Sequence, residues 1–202
     1  MAGRLVTIEG LDGAGKTTLA AGLVPALAAR GVEAVLLREP GGVALSERIR
    51  ALVKDPALRV GGAAEALLYA AARAQLVEER VRPLLDEGRW VLLDRFVDSS
   101  LAYQGIARGL GLDRILELNL TVLEGLLPDR TFVLAVDAAT AAGRQEGAPD
   151  RIEQEGERFQ VEVGRAYEQV AERFPERVVL LDGALPPEEL AAAVRTRVED
   201  LL

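Results

Sequence analysis

A short segment near the start of the chain places glycines, a lysine and threonines at a spacing that suits phosphate binding. Residues 10–17, GLDGAGKT, fit the pattern G-x-x-x-x-G-K-[ST]. Glycine lets the backbone approach a phosphate closely, and consecutive N–H groups can point at its oxygen atoms. Lys16 would reach the β- and γ-phosphates, and the Thr17 hydroxyl would bind Mg²⁺. The predicted nucleotide-binding residues are Gly10, Leu11, Asp12, Gly13, Ala14, Gly15, Lys16, Thr17 and Thr18.

A second polar cluster follows a later apolar run, in residues 91–105, VLLDRFVDSSLAYQG. Asp94 ends this run, at the position of a carboxylate that faces Mg²⁺ together with Thr17. The carboxyl ends of parallel strands line one crevice, so we expect the cluster to face the glycine loop. Its other polar members are Arg95, Ser99, Ser100, Tyr103 and Gln104.

The elements that must position these two segments alternate between strands and helices. Strands are predicted at 4–9, 33–39, 89–94, 130–137 and 177–182. Helices are predicted at 16–30, 44–53, 63–88, 99–109, 113–127 (from an Asp113 cap), 151–174 and 186–202. Strands that are apolar on both faces favour a parallel sheet covered by helices on both sides. The sequence therefore predicts one α/β domain with the P-loop NTPase fold, five parallel strands and a small mobile lid at about 139–151.

Composition restricts the chemistry. The 202 residues contain no cysteine and no histidine, so catalysis must use lysine, arginine, carboxylates, hydroxyls, backbone amides or a bound ion. The net charge of −8 argues against general nucleic-acid binding. No apolar stretch approaches the ~20 residues of a membrane span. A cleavable signal peptide would remove the motif at residue 10, so we expect a cytoplasmic protein.

The motifs together resemble those of the bacterial thymidylate kinases, and the resemblance covers essentially the whole chain. Residues 94–104 match the family signature D-R-F/Y-x-x-S-S-x-A-Y-Q. GLDGAGKTT, REPGG (38–42), EALLYAAARAQL (65–76) and DRIEQE (150–155) follow the family order. The resemblance implies transfer of a phosphoryl group from ATP to dTMP, with Mg²⁺ as cofactor, and a homodimer built on helices such as 63–86 and 99–126.

The same resemblance implies roles for the residues around the thymine base. Arg73 hydrogen-bonds the base, and Tyr69 stands where the family usually has a stacking phenylalanine. Gln104 and Ser100 touch the base, and Ser99 belongs to the same substrate-binding group.

Further roles are implied around the sugar and the monophosphate. Arg95 and Arg50 hold the monophosphate, and Tyr103 lies where a 2′-hydroxyl would be. Asp12 reaches the 3′-hydroxyl or a metal-bound water, and Glu9 lies near the sugar and Mg²⁺.

The resemblance also implies a catalytic arginine in the lid. Gly13 stands where some members carry an arginine inside the glycine loop. Arg144 matches a lid position, whereas Ala142 and Glu146 replace further arginines of other members. Arg151 is the second candidate or an adenine-side contact. The implied catalytic residues are Lys16, Arg95 and Arg144.

The physical chemistry agrees with this interpretation without deciding it alone. The attacking phosphate oxygen of a nucleoside monophosphate is already ionised, so no histidine base is needed. Another nucleoside monophosphate or deoxynucleoside kinase on the same scaffold is the enzymatic alternative. A nucleotide-dependent regulator is the non-enzymatic one, although the N-K-x-D guanine motif of GTPases does not occur in this sequence.

Overall fold

The computed structural model describes residues 3–145 and 147–202 and confirms the predicted parallel sheet. The strands lie in the order β2-β3-β1-β4-β5, and every neighbouring pair is parallel. Their bounds are β1 Leu5–Gly10, β2 Ala34–Arg38, β3 Trp90–Asp94, β4 Arg130–Ala135 and β5 Val178–Asp182.

Helices cover both faces of this sheet. Their bounds are α1 Lys16–Ala28, α2 Ala44–Lys54, α3 Gly62–Leu76, α4 Arg82–Asp86, α5 Val97–Ser100, α6 Leu112–Val122, α7 Ala138–Gly143, α8 Glu157–Arg173 and α9 Pro187–Arg197. Short 3₁₀ segments occupy Glu153–Glu155 and Glu199–Leu201. Among the described residues, no helix combines the length and apolar composition needed to cross a bilayer.

Alternation along the central strands explains why both faces are covered. In β1, Val6 and Ile8 pack with α1 and α9, whereas Leu5 packs with residues of α3 and the turn after it. Val133 of β4 packs against α8. All six residues of β1 are buried, so its odd positions, Thr7 and Glu9 included, lie under helices rather than in water.

The predicted helices differ from the observed ones where the hydrogen-bond pattern changes. The segment predicted as one helix over 63–88 is α3, a π-helical turn at Val77–Val81 and α4. The helix predicted over 99–109 is largely π-helical, at Leu101–Ala107. Such i→i+5 turns are rare and here cover only 5 and 7 residues, so apolar periodicity read over a longer window does not reveal them.

Three helix starts were also predicted wrongly or missed. Asp113 is not a cap: α6 has Gly111 at its N-cap, and Asp113 lies in the first turn. The predicted helix 151–174 begins only at Glu157, after a glycine with φ of 87°. The polar segment 138–150, without predicted structure, contains α7, whose N-cap Asp137 accepts a hydrogen bond from the Thr140 N–H.

A buried polar network joins the strands under α5. Arg177 donates to both carboxylate oxygens of Asp98, at 2.7 and 2.8 Å. Thr131 donates to Asp98 at 2.8 Å, and Thr7 and Thr131 share a hydrogen bond of 2.8 Å. Asp98 is completely buried, so its negative charge needs the Arg177 guanidinium as a counter-charge.

Replacement of Arg177 should therefore destabilise the fold. We expect Arg177→Gln to lower the free energy of unfolding by about 3 kcal/mol, because Asp98 would remain buried without its counter-charge. Urea denaturation measures this change, and Arg165→Gln, in an exposed ion pair, serves as the control with a change below about 0.5 kcal/mol. Equal effects of the two substitutions would contradict the proposed dependence of Asp98 on Arg177.

Candidate active site

The glycine loop joins β1 to α1 and depends on backbone conformations that favour glycine. Gly13 has φ of 84°, and Gly15, the N-cap of α1, has φ of 95°. Lys16 opens α1 and is only 6% exposed. Its Nζ donates to the Leu11 carbonyl at 2.6 Å, and burial lowers the pKa of Lys16 to about 8. The loop therefore holds an ammonium group at a helix N-terminus, where the helix dipole and free N–H groups favour a phosphate.

The next residue of α1 meets the end of β3. The Thr17 hydroxyl donates to a carboxylate oxygen of Asp94 at 2.6 Å. A hydroxyl and a carboxylate are the hard oxygen ligands that Mg²⁺ prefers, and this ion usually keeps several waters and binds substrate phosphates. The pair thus fits the predicted metal site.

Arg95 follows Asp94 in a conformation unusual for its residue type, with φ of 70°. Left-handed backbone at a residue other than glycine is strained and is common at functional sites. The Arg95 guanidinium donates to Asp12 at 2.9 Å, to Ser99 at 3.0 Å and to the Tyr167 hydroxyl at 3.1 Å. It also lies over the Tyr103 ring, 5.3 Å from the centroid. Arg95 is therefore held in place from four sides.

Asp12 links the glycine loop to this arginine. Its Oδ1 lies 2.9 Å from the Arg95 guanidinium and 3.8 Å from Lys16 Nζ. Arg95, with a smaller contribution from Lys16, holds the pKa of Asp12 well below its usual range. The carboxylate is ionised at neutral pH and lies between the two cations.

Both predicted segments open on one cavity of about 890 Å³. The predicted site residues that line it are Asp12, Gly13, Gly15, Lys16, Thr17, Thr18, Arg50, Tyr69, Asp94, Arg95, Ser99, Ser100, Tyr103, Gln104 and Arg144. A neighbouring cavity of about 610 Å³ shares Gly15, Thr18 and Arg144 with the first and is also lined by Ala14. Gly10 and Leu11 belong to the glycine loop but line neither cavity.

Arg73 was predicted to contact a ligand but lies behind the cavity wall, 1% exposed. It donates to Glu39 at 2.8 Å, to Ser100 at 2.9 Å, to Asn119 at 2.5 Å and to the Phe96 carbonyl at 2.9 Å. Its partners Glu39 and Ser100 line the cavity, so Arg73 supports that wall directly. Its contact with a base remains a prediction.

Glu9 is also behind the wall, and its two oxygen atoms are engaged by protein donors. It accepts from the Phe96 N–H at 2.7 Å, from Ser99 at 2.5 Å and from the Tyr167 hydroxyl at 3.0 Å. Burial, with a smaller contribution from the charge of Asp98, raises the pKa of Glu9 to about 7. Glu9 was predicted to lie near the sugar and Mg²⁺. The structure places it behind the residues that line the cavity, without exposure to the cavity itself.

The two lid arginines have different environments. Arg144 is exposed, lines both cavities and makes one long hydrogen bond of 3.5 Å to the Gly183 carbonyl. Arg151 is 8% exposed and donates to Glu65 and to the Val53 carbonyl, each at 2.7 Å. Arg151 lines neither cavity. Glu146 lies outside the described residues.

Sequence reasoning missed several residues of the site. Tyr167 occupies a position on the apolar face of the amphipathic helix α8, so the sequence pattern does not distinguish it from the core residues of that helix. Glu39 could have been predicted from the sequence, because it belongs to the REPGG motif. It lines the cavity, and burial raises its pKa to about 7. Lys54 and Asp150 form an ion pair of 2.5 Å at the cavity, between segments that only the fold brings together.

Gly13 is required by the close approach of α7 to the glycine loop. A Cβ atom there would lie 2.1 Å from the Ala141 carbonyl oxygen. We expect Gly13→Ala to displace α7 and to cost about 2 kcal/mol of stability, because it adds a clash to an unfavourable φ. Trypsin should then cleave after Arg144 faster than in the wild type. Gly164→Ala in α8, where the added Cβ meets nothing within 4 Å, is the control and should not accelerate cleavage. Unchanged cleavage in Gly13→Ala would show that α7 does not depend on Gly13.

The raised pKa of Glu9 predicts a pH-dependent stability. The folded protein keeps a proton on Glu9 up to about pH 7, whereas the unfolded chain releases it near pH 4.5. The stabilisation is complete below pH 4.5 and is lost as the pH rises through 7. Relative to Glu9→Gln, the unfolding free energy of the wild type should fall by about 2–3 kcal/mol between pH 5 and pH 8. Urea denaturation at both pH values measures this, and a difference that stays constant or increases with pH would be the contrary result.

Known proteins match this chain over almost its entire length. A family model described as Thymidylate kinase matches residues 8–194. The thymidylate kinase of Geobacillus sp. (strain WCH70) is 41% identical over 205 residues, covering 99% of this chain and 98% of the relative. That of Clavibacter michiganensis subsp. michiganensis (strain NCPPB 382) is 46% identical over 205 residues, covering 100% and 97%. The crystal structure of thymidylate kinase from Ehrlichia chaffeensis superposes with a TM-score of 0.79 at 28% identity, covering 98% of this chain and 100% of that one, which confirms the P-loop NTPase fold. With its glycine loop, its Asp94-Arg95 cluster and these matches, the chain belongs to the thymidylate kinase family.

Proposed function

We propose that this chain phosphorylates dTMP to dTDP with ATP as donor, the reaction of the family to which it belongs. One observation carries the proposal: the glycine loop and the acceptor residues line the same cavity of about 890 Å³. The two substrates of a phosphoryl transfer must meet in line within one site. A cavity with Lys16 at one part and Gln104 at another provides such a site.

The donor nucleotide would occupy the side of the glycine loop. Lys16 and the loop N–H groups would hold the β- and γ-phosphates, and Thr17 and Asp94 would hold Mg²⁺. The ion would neutralise charge that develops on the phosphate oxygens. The second cavity continues from Gly15 and Thr18, which supports a place for the adenosine there.

The acceptor would occupy the opposite part of the cavity. Arg95 and Arg50 would pair with the monophosphate, since a guanidinium donates charge-assisted hydrogen bonds to phosphate oxygens. Tyr69 would pack on the base, and Tyr103 would lie beside the sugar. Gln104 supplies an amide for hydrogen bonds to the base. Ser99, Ser100, Arg73 and Glu9 would hold these residues in position.

The mechanism would rely on placement and charge and would not need proton abstraction. The acceptor phosphate is ionised at neutral pH, so its oxygen can attack directly. Of the cations that line the cavity, Lys16, Arg95 and Arg144 would stabilise charge on the transferred group. Arg95 is fixed before the substrates arrive, so its placement costs little reorganisation during the reaction.

A coupled assay of ADP release tests the proposed function. ADP should appear only when dTMP is present, and dTDP should accumulate at the same rate. dUMP, dCMP and AMP should be poorer acceptors, and a better acceptor among them would favour another monophosphate kinase. Slow hydrolysis that no acceptor accelerates would instead indicate a regulator. Lys16→Ala should lower turnover by at least about 10²-fold, the effect of losing one preorganised charge contact.

We further propose that residues 139–151 act as a lid that brings Arg144 to the transferred phosphoryl group. Arg144 lines both cavities and is exposed, whereas Arg151 is buried against Glu65. Arg144→Ala should therefore lower kcat by about 10³-fold and change dTMP affinity little, because the contact exists mainly in the transition state. Steady-state kinetics gives kcat, and calorimetric titration with dTMP gives the affinity. If kcat of Arg144→Ala stays within a few-fold of the wild type while Arg151→Ala loses activity, Arg151 supplies the catalytic charge.

A homodimer built on helices such as 63–86 and 99–126 is the second structural proposal, and it is supported by one exposed leucine in the first of these helices and two on α2, which packs against it. Leu45 and Leu52 on α2 and Leu67 on α3 are 47%, 49% and 58% exposed, and these two helices pack side by side. Exposed leucines on two helices that pack together favour an apolar interaction surface on this side of the molecule. Light scattering should give twice the chain mass of 21.6 kDa, and Leu67→Glu should give the monomer. A wild-type monomer at all concentrations would contradict this proposal.

A further inference from the structure

Glu65 is a buried carboxylate with several donors from different parts of the chain. It lies in the first turn of α3 and is completely inaccessible to solvent. Gln104 donates to its Oε1 at 2.9 Å, and Arg151 donates to its Oε2 at 2.7 Å. Arg108 adds hydrogen bonds to both oxygens, at 3.3 and 3.1 Å. Glu65 does not line the cavity, so any influence on a substrate must pass through these partners.

Two of these donors, Gln104 and Arg151, belong to different parts of the site: the acceptor part of the cavity and the proposed lid. Gln104 lines the acceptor part of the cavity. Arg151 ends the proposed lid, which carries Arg144 seven residues earlier in the sequence. One oxygen of Glu65 thus accepts a hydrogen bond from Gln104, at the proposed dTMP site, and the other accepts one from Arg151, at the end of the lid.

The end of the lid is fixed to α2 as well. The Arg151 N–H donates to the Lys54 carbonyl at 3.1 Å, and its Nε donates to the Val53 carbonyl at 2.7 Å. Lys54 Nζ forms an ion pair with Asp150 at 2.5 Å. Arg50, the proposed monophosphate ligand, lies one turn earlier in α2. The place where the lid ends is therefore determined by the elements that surround the acceptor.

We propose that Glu65 is a positioning residue that couples the Gln104 amide to the lid through Arg151. A buried carboxylate cannot exchange a protein donor for water without a large loss, so movement of Arg151 must shift Glu65 or break its hydrogen bonds. Gln104 is held by the same carboxylate and changes its orientation with it. Acceptor recognition and the placement of the lid end then form one unit. This inference rests on the proposed dTMP site at Gln104.

Kinetics of Arg151→Gln, with Arg177→Gln as a matched control, tests the coupling. Both arginines are almost fully buried and pair with a completely buried carboxylate. Glu65, the partner of Arg151, also accepts from Gln104 at the cavity, whereas Asp98, the partner of Arg177, accepts from Thr131, which does not line the cavity. We expect Arg151→Gln to raise the KM for dTMP at least tenfold and to leave the KM for ATP within twofold. Arg177→Gln should leave both KM values within twofold although it lowers Tm. Arg151→Lys, which keeps the charge with fewer donors, should restore part of the dTMP affinity. Equal KM changes in the two glutamine variants would reduce Arg151 to a structural role and overturn the proposal.

A double-mutant cycle separates coupling through Glu65 from independent effects. In a Gln104→Met background, Arg151→Gln should raise the KM for dTMP no more than twofold, because the amide that Glu65 orients is already absent. Glu65→Gln alone should reproduce the loss seen in Arg151→Gln. A full tenfold effect in the Gln104→Met background would show that Arg151 acts by another route and would overturn the proposal. Because this cycle uses only the Arg151 and Gln104 variants, its result stands even if Glu65→Gln does not fold.

The wild-type assay distinguishes this proposal from the proposed function. A wild type that does not use dTMP overturns both. A wild type that phosphorylates dTMP, combined with additive effects of Arg151→Gln and Gln104→Met, leaves the proposed function intact and removes only the coupling through Glu65.

Discussion

The parallel pairing of β1 with β3, in which Ile8 lies opposite Asp94, positions every other part of the site. Parallel strands end at the same edge of a sheet, so the glycine loop after β1 and the polar cluster after β3 meet there. The hydrogen bond from Thr17 to Asp94 joins the two segments, and the Arg95 N–H donates to the Ile8 carbonyl at 3.0 Å. Any shift between these strands would separate the proposed metal ligands.

Buried ionisable side chains behind the cavity hold its wall in place through hydrogen bonds. Glu9, Arg73 and Glu65 do not line the cavity, yet each makes at least three hydrogen bonds to neighbouring groups. A buried charge that loses one partner is strongly penalised, so such networks have one preferred arrangement. Preorganised charge is the main means by which an enzyme without a histidine base can stabilise phosphoryl transfer. The high pKa of Glu9 and of Glu39 reflects the cost of this burial.

The acidity of the chain is compatible with a site for two polyanions because the charge balance at the cavity differs from that of the whole chain. The net charge of the chain is −8, whereas the cavity is lined by six cations, Lys16, Arg38, Arg50, Lys54, Arg95 and Arg144, and by five carboxylates, Asp12, Glu39, Glu47, Asp94 and Asp150. Charges on the outer surface are screened by solvent within about 10 Å, whereas charges around a low-dielectric cavity act on its contents directly. The net charge thus argues against a polyanion bound over the outer surface but says little about a ligand bound inside the cavity.

The sequence by itself determined the fold class, the five strands and the two segments that meet at the cavity, because these depend on local spacing and on apolar patterning. Only the tertiary structure decided which charged residues lie at the surface of the site. Arg144 and Arg151 are seven positions apart and equally polar in the sequence, yet one is exposed at both cavities and the other is buried against Glu65. Tyr167, from a helix distant in sequence, completes the hydrogen bonds of Glu9 and Arg95. Burial and pairing of a charge depend on partners that the chain brings from far away in sequence, and local pattern contains no record of them.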